Sequence, residues 1–225
     1  MRKLLFIAMT LVFVGKHNAS AQTLTNAVAV PATNPLPATV AAPVGQAWSF
    51  SASAYTYVVP DGRDYVQPTV TADRDRLHLE ARYNYEALDT ASVWLGYNFH
   101  GGEKLAWEIT PMLGGIFGDV DGVAPGYRGS LSWWKLQFYS EGEYVYNTDD
   151  SSESYFYNWS ELTLTPVKGF RIGLVTQRTR AYETEHDIQY GFLVGCALKR
   201  VDLSAIIFNA DEDKPTFTFT VGLKF

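Results

Sequence analysis

The sequence predicts an all-β fold, a transmembrane antiparallel up-and-down β-barrel, and three observations support this prediction. Pro215 to Phe225 alternate strictly between polar and apolar side chains, which is the pattern of a strand with one apolar face. Alternating segments of this kind, separated by turn residues, recur from Ala47 onward. The chain also begins with a basic head and an apolar run, as secreted proteins do. We therefore expect an exported chain that crosses a membrane with strands.

The final strand gives the most specific signal. Its eleven residues match the roughly 9–11 that a tilted strand needs to cross a bilayer. Apolar residues at every second position up to a terminal Phe resemble the last strand of bacterial outer-membrane β-barrel proteins. This class-level resemblance implies surrounding outer-membrane lipid and lipopolysaccharide in a Gram-negative envelope. It also implies recognition of the last strand by the barrel-assembly machinery. The residues read by that machinery would be Phe217, Phe219, Val221, Leu223 and Phe225.

The sequence divides into three regions. Residues 1–21 have the layout of a secretory signal peptide, with a small-residue cleavage motif at Ala19-Ser20-Ala21. The apolar run from Leu4 to Val14 is shorter than the roughly 20 residues of a spanning helix. Residues 22–46 carry no charge and are rich in Pro and Ala, which predicts a flexible periplasmic tail. Residues 47–225 are predicted to form the barrel.

We predict twelve strands in the barrel, with ten as the alternative if the weaker second or sixth strand is absent. The second strand contains Pro68, which cannot donate a ladder hydrogen bond. An even number places both ends of the barrel on the periplasmic side. Short turns are then expected there, opposite longer and mostly acidic outer loops. The clearest of those loops are Asp119–Ala124, Asn147–Ser154 and Tyr182–Asp187.

Composition excludes several other classes of function. The net charge of −6 argues against a nucleic-acid partner, since such proteins present a basic surface. Cys196 is the only cysteine, so the chain has neither a disulfide framework nor a cysteine-based metal site. We found no pattern that predicts a cofactor or a metal ion. The 14 Tyr, 13 Phe and 6 Trp residues suit aromatic girdles at the two membrane interfaces.

Seven charged residues inside the predicted strands have the parity opposite to the apolar residues. A lipid-facing Arg or Lys at mid-membrane costs about 2–4 kcal/mol, so all seven are expected to point inward. These candidate lumen-lining residues are Glu80, Arg82, Glu108, Arg128, Glu141, Glu143 and Arg171. They suit either a network of ion pairs that fills the lumen or a polar lining that passes solutes. Tyr139 and Trp94 are large inward residues that could plug the lumen.

The sequence thus predicts an outer-membrane barrel that acts as a narrow passive channel for small hydrophilic solutes or ions. The alternative is a closed structural or adhesion-type barrel that binds partners through its outer loops. An outer-membrane hydrolase would need a nucleophile and usually a histidine base. His78 and His186 are the candidates for that base, but a solvated loop histidine is the simpler interpretation of His186. We therefore predict no enzymatic activity.

Overall fold

The computed structural model describes residues 47–60, 62–178 and 188–225. The predicted signal peptide (1–21), the predicted tail (22–46) and the loop Tyr182–Asp187 with His186 lie outside these described residues. The predictions for those segments therefore stay predictions.

Twelve antiparallel strands form a closed barrel in the described ranges. Each strand pairs with its neighbours in the sequence, and β1 pairs with β12 to complete the ring. The strands are β1 (Ser49–Val58), β2 (Tyr65–Arg74), β3 (Leu77–Tyr83), β4 (Thr90–Tyr97 and Phe99–Gly101), β5 (Leu105–Gly118), β6 (Gly122–Trp133), β7 (Leu136–Asn147), β8 (Tyr155–Val167), β9 (Phe170–Arg178), β10 (Ile188–Leu198), β11 (Val201–Phe208) and β12 (Thr216–Lys224). The predicted twelve-stranded up-and-down barrel is confirmed.

Two prolines affect the ladder locally without breaking the barrel. β2 runs through Pro68, and its pairing with β3 begins at the next residue, Thr69. β4 consists of two runs that keep one register with β5, from Gly96 opposite Met112 to Phe99 opposite Ile109. Pro111 lies between these paired positions of β5, and its missing N–H explains the gap in β4. The weak second strand that the sequence predicted is therefore present in the ring, and the sixth is also present, from Gly122 to Trp133.

The C-terminal strand closes the barrel. Its register against β1 runs from Val58 opposite Phe217 to Ser51 opposite Lys224. The backbone N–H of Phe225 then donates to the carbonyl oxygen of Phe50 at 3.2 Å. A closed ring leaves no unpaired sheet edge, which is the condition for a β-structure to lie in lipid.

The outer surface of the barrel is apolar because side chains alternate along each strand. In β10, for example, Ile188, Tyr190, Phe192 and Val194 are exposed, whereas the residues between them are buried. Exposed large hydrophobic residues of this kind occur on every strand of the ring. No helix in the described part of the chain is long and apolar enough to cross a membrane. Because the exposed side chains of the strands are apolar, the exterior is suited to lipid contact, as predicted from the parity.

The connections differ between the two ends of the barrel. At one end they are short turns of two or three residues, such as Trp134-Lys135 and Lys199-Arg200. Trp134 and Lys199 adopt positive φ angles of 53° and 57°, as two-residue hairpin turns require. At the other end lie longer connections, one of which contains the 3₁₀ turn Ser151–Glu153. The predicted loop Asp119–Ala124 is shorter than expected because β6 already begins at Gly122.

The lipid-facing surface leads to a prediction about the depth of β5 in the membrane. Leu113 is near the middle of β5 and Leu105 is at its short-turn end, with 61% and 50% of their surface exposed. Leu113→Arg should lower the free energy of unfolding by about 2–4 kcal/mol, and Leu105→Arg by about 0–1 kcal/mol. Denaturant titration of the protein folded in lipid vesicles measures both values. Equal costs at the two positions would contradict a membrane-spanning β5.

Candidate functional site in the barrel interior

The interior of the barrel, here called the bore, contains a compact group of charged residues. We call this group the charged constriction, and its members are Glu80, Arg82, Glu86, Arg128, Glu141 and Glu143. All six side chains are buried. They come from β3, β6, β7 and the β3–β4 loop. Five of them were predicted as inward residues from the strand parity alone.

Arg82 is the centre of the charged constriction. Its Nε donates to Glu80 Oε1 at 2.6 Å, and its Nη1 donates to Glu143 Oε2 at 2.7 Å. β3 and β7 are separated by three strands around the ring, so the second bond crosses the bore. The guanidinium carbon also lies 4.0 Å and 4.5 Å from the ring centres of Tyr85 and Trp94. Arg82 therefore joins two walls through charge and through cation–π contacts.

Arg128 provides the second bridge across the bore. Its Nη2 lies 2.7 Å from Glu80 Oε2 and 3.4 Å from Glu141 Oε2. Glu141 also accepts hydrogen bonds from the hydroxyl groups of Tyr85 and Tyr139, the latter at 2.5 Å. Two arginines thus form ion pairs with four glutamates, and tyrosine hydroxyl groups donate further hydrogen bonds to the carboxylate of Glu141.

Glu86 also belongs to the constriction, although the strand pattern does not predict it. It lies in the β3–β4 loop, yet its side chain is 0% exposed and its Oε1 accepts from Ser92 Oγ at 2.6 Å. Asn84 and Asp89, with φ angles of 56° and 55°, turn this loop inward. Asn84 Oδ1 accepts from the backbone N–H of Asp89 at 2.7 Å, and the hydrogen bond from Arg63 lowers the pKa of Asp89. Strand parity could not reveal Glu86, because it applies only within strands.

Trp94 occupies a slot made by glycines on the two following strands. A Cβ atom at Gly114 would lie 2.6 Å from the Trp94 ring, and one at Gly126 would lie 2.9 Å from it. The indole Nε1 donates to Ser92 Oγ at 2.9 Å and lies 3.3 Å from Glu86 Oε1. Trp94 is therefore held against the wall while it contacts the constriction, as the prediction of an inward Trp94 required.

A second group, here called the aromatic cluster, joins other walls of the bore. It consists of Tyr55, Tyr157, Trp159 and Phe208. Trp159 of β8 is 2% exposed and lies edge-on to Tyr55 of β1, with ring centres 5.7 Å apart. It also contacts Phe208 of β11 at 5.7 Å. Because β1 and β8 lie on nearly opposite sides of the ring, these rings cross the bore.

Two of the predicted inward residues lie apart from the constriction. Arg171 forms a paired contact with Asp202, with Nη1–Oδ2 and Nη2–Oδ1 distances of 2.5 and 2.6 Å. Glu108 is half-buried near the short-turn end of β5, opposite Ser130 of β6. The structure therefore brings five of the seven candidates together and leaves Arg171 and Glu108 at other places along the bore.

His78 links the constriction to the short-turn end. Its Nδ1 lies 2.8 Å from Asp73 Oδ1, and its Nε2 lies 3.0 Å from Glu80 Oε2. With both carboxylates ionised, both ring nitrogens donate, so neither is available as an acceptor for a nucleophile's proton. This arrangement does not suit a catalytic base. Among the described residues, no group of three or more His, Cys, Asp or Glu could hold a metal ion.

Comparison with known proteins identifies the type of barrel. No protein-family model and no curated protein matches this sequence. Among solved structures, the fold is similar to a protein described as "KdgM porin", with a TM-score of 0.56 and 13% sequence identity. The similarity covers 79% of this chain and 99% of that chain. The chain therefore has the fold of an outer-membrane, porin-like β-barrel, and the subfamily stays unidentified.

Proposed function

We propose that this protein is a narrow passive channel in the bacterial outer membrane that passes small hydrophilic solutes or ions. The observation that carries the proposal is the imbalance of charge in the constriction, where four glutamates share two arginines. Glu86 Oε2 and Glu143 Oε1 are buried and have no hydrogen-bond partner among the described residues. Each bare oxygen belongs to a buried carboxylate, and it is costly to leave such an atom without a partner. Water or small ions inside the bore would satisfy both atoms.

The filling of the bore limits what such a channel can pass. Twelve strands enclose a lumen between the side-chain-filled barrels of eight strands and the open channels of sixteen. The Arg82–Glu143 and Tyr55–Trp159 contacts then cross this lumen. We therefore propose that the passage admits small hydrated ions and excludes larger solutes such as oligosaccharides.

The porin-like fold also favours a channel over an enzyme. It supports location in the outer membrane, although residues 1–21 lie outside the described part of the chain. Phe217, Phe219 and Phe225 of the terminal segment are exposed on the outer surface, where a lipid or an assembly factor could contact them. We propose these partners on the resemblance of the last strand and on its exposure. Fractionation of the bacterial envelope on a density gradient tests the location.

A closed structural barrel is the second candidate function. The observation that favours it is the near-complete burial of Tyr157, Trp159 and Phe208, at 1%, 2% and 0% exposed surface. Such packing resembles a protein core, in which side chains leave few gaps larger than a water molecule. In that case the long-loop end would carry the function by binding a partner.

Conductance across a planar lipid bilayer distinguishes the two candidates. The purified protein, shown to be folded by a heat-dependent change in gel mobility, is added to one side in salt solution. Discrete current steps that grow with salt concentration are expected for the channel. Omission of the protein and addition of the heat-unfolded protein serve as controls. Folded protein that inserts but gives no steps would overturn the channel and support the closed barrel.

A further inference from the structure

We infer that the bore prefers small monovalent cations, with a transient cation position beside Glu86 and Glu143; this inference rests on the proposed channel. Both carboxylates contact the guanidinium group of Arg82, whose Nη1 lies 3.6 Å from Glu86 Oε1 and 2.7 Å from Glu143 Oε2. One guanidinium cannot neutralise both groups, and it also serves Glu80. With both carboxylates ionised, the net charge around this guanidinium is negative.

The bare oxygen atoms provide an independent observation. Glu86 Oε2 and Glu143 Oε1 are the atoms of these two carboxylates that lack a partner among the described residues. Glu86 and Glu143 are 0% and 2% exposed, so bulk water does not cover them. Acidic side chains of this kind line the pores of cation-selective channels. The absence of three or more suitable ligands among the described residues favours a weakly held ion over a resident metal.

Charges elsewhere in the bore point in the same direction. The acidic inward residues outside the constriction are Asp73, Glu108, Glu161 and Asp202. The basic ones are His78, His100, Arg171 and Lys224. Acids thus exceed bases in this part as well as in the constriction, unless both histidines are charged. A bore in which acidic side chains outnumber basic ones attracts cations, and rings of acidic side chains select cations in channels.

The basic residues of the short turns do not cancel this field inside the bore. Arg76 lies over the ring of Tyr97 at 5.8 Å, and Lys135 lies over that of Trp134 at 5.3 Å. Tyr97 and Trp134 are exposed aromatic residues of the outer surface. These cations are therefore placed at the membrane interface, where they can pair with lipid phosphates. The exposed acidic residues of the long-loop end, such as Glu153, lie outside the bore and do not enter this count.

The test is the reversal potential of single channels in a gradient of KCl. We expect the wild-type protein to pass K⁺ several-fold better than Cl⁻. In the Glu86→Gln/Glu143→Gln variant, the permeability ratio should fall toward unity. Glutamine keeps an oxygen that can accept from Ser92 and Arg82, so this variant should fold. The control is Glu153→Gln, which removes one exposed carboxylate outside the bore and should leave the ratio unchanged.

The outcomes separate this inference from the proposed function. Current steps with a preference for Cl⁻ would overturn the cation preference and leave the channel intact. The same holds for a K⁺/Cl⁻ permeability ratio that the double substitution does not alter. A wild-type protein without steps would overturn the proposed channel. In that case the K⁺/Cl⁻ permeability ratio is measured in the Tyr55→Ala/Trp159→Ala variant, whose widened bore contains the same charged residues. Anion preference or equal permeability there would also overturn the inference.

Discussion

Replacement of Arg82 by methionine should destabilise the folded barrel by about 3–5 kcal/mol, the cost typical of breaking a buried ion pair by removing one partner. Glu80, Glu86 and Glu143 would all lose their shared cation, while methionine fills a similar volume. The cost arises because Glu86 and Glu143 remain buried without a cation, whereas Glu80 keeps its contacts with Arg128 and His78. Denaturant unfolding followed by far-ultraviolet circular dichroism measures the change in free energy.

A matched control and a second substitution identify the cause. Arg76→Met removes an arginine that is exposed outside the bore, and it should change stability by less than about 0.5 kcal/mol. Adding Glu143→Gln to Arg82→Met should restore part of the lost stability, because it removes one uncompensated charge. If Arg82→Met unfolds at the wild-type denaturant concentration, the ion pairs do not hold the walls of the bore together.

Removal of the aromatic contact across the bore should increase conductance several-fold. The Tyr55→Ala/Trp159→Ala variant deletes the two rings that meet between β1 and β8 at 5.7 Å. It also removes the bond from Trp159 Nε1 to Glu161 Oε1 at 2.9 Å. The resulting space would be lined in part by polar side chains and would fill with water. Single-channel recording in planar bilayers measures the size of the current steps.

The control for this variant is Trp107→Ala/Tyr190→Ala. It removes one Trp and one Tyr from the outer surface, where they are 40% and 64% exposed. Its conductance should equal that of the wild type. Unchanged steps in the Tyr55→Ala/Trp159→Ala variant would show that the charged constriction alone limits the current. Steps in that variant with a silent wild type would favour the closed barrel. A large core truncation costs about 3–5 kcal/mol, so gel mobility must first show that the variant folds.

The sequence was sufficient to predict, for most strands, which residues point into the bore and which point toward lipid. Arg82 and Glu143 each lie on the polar parity of an alternating run, and an apolar solvent outside forces the charged parity inward. The C-terminal strand was equally clear, because its apolar face ends in Phe225. Even β2, with Pro68, followed the predicted order, since a closed ring offers each strand a partner on both sides.

The membership of Glu86 in the constriction could not be predicted. Its position depends on the inward turn of the β3–β4 loop, which rests on the positive φ angles of Asn84 and Asp89. The aromatic cluster was missed for a related reason. Alternation places Trp159 and Tyr55 inside the barrel, but it does not say that two residues from nearly opposite walls will meet.

By itself, the sequence predicted which side of most strands faces lipid, because alternation is a local property with a period of two. It predicted twelve strands with ten as the alternative, and the closed ring of the structure has twelve. Only the tertiary structure decided that Arg82 pairs with Glu143 and that Arg128 pairs with Glu80. These partners are 61 and 48 residues apart in the chain. The physical reason is that contacts across the bore depend on the tilt and stagger of all the strands in the closed ring, which no single segment encodes.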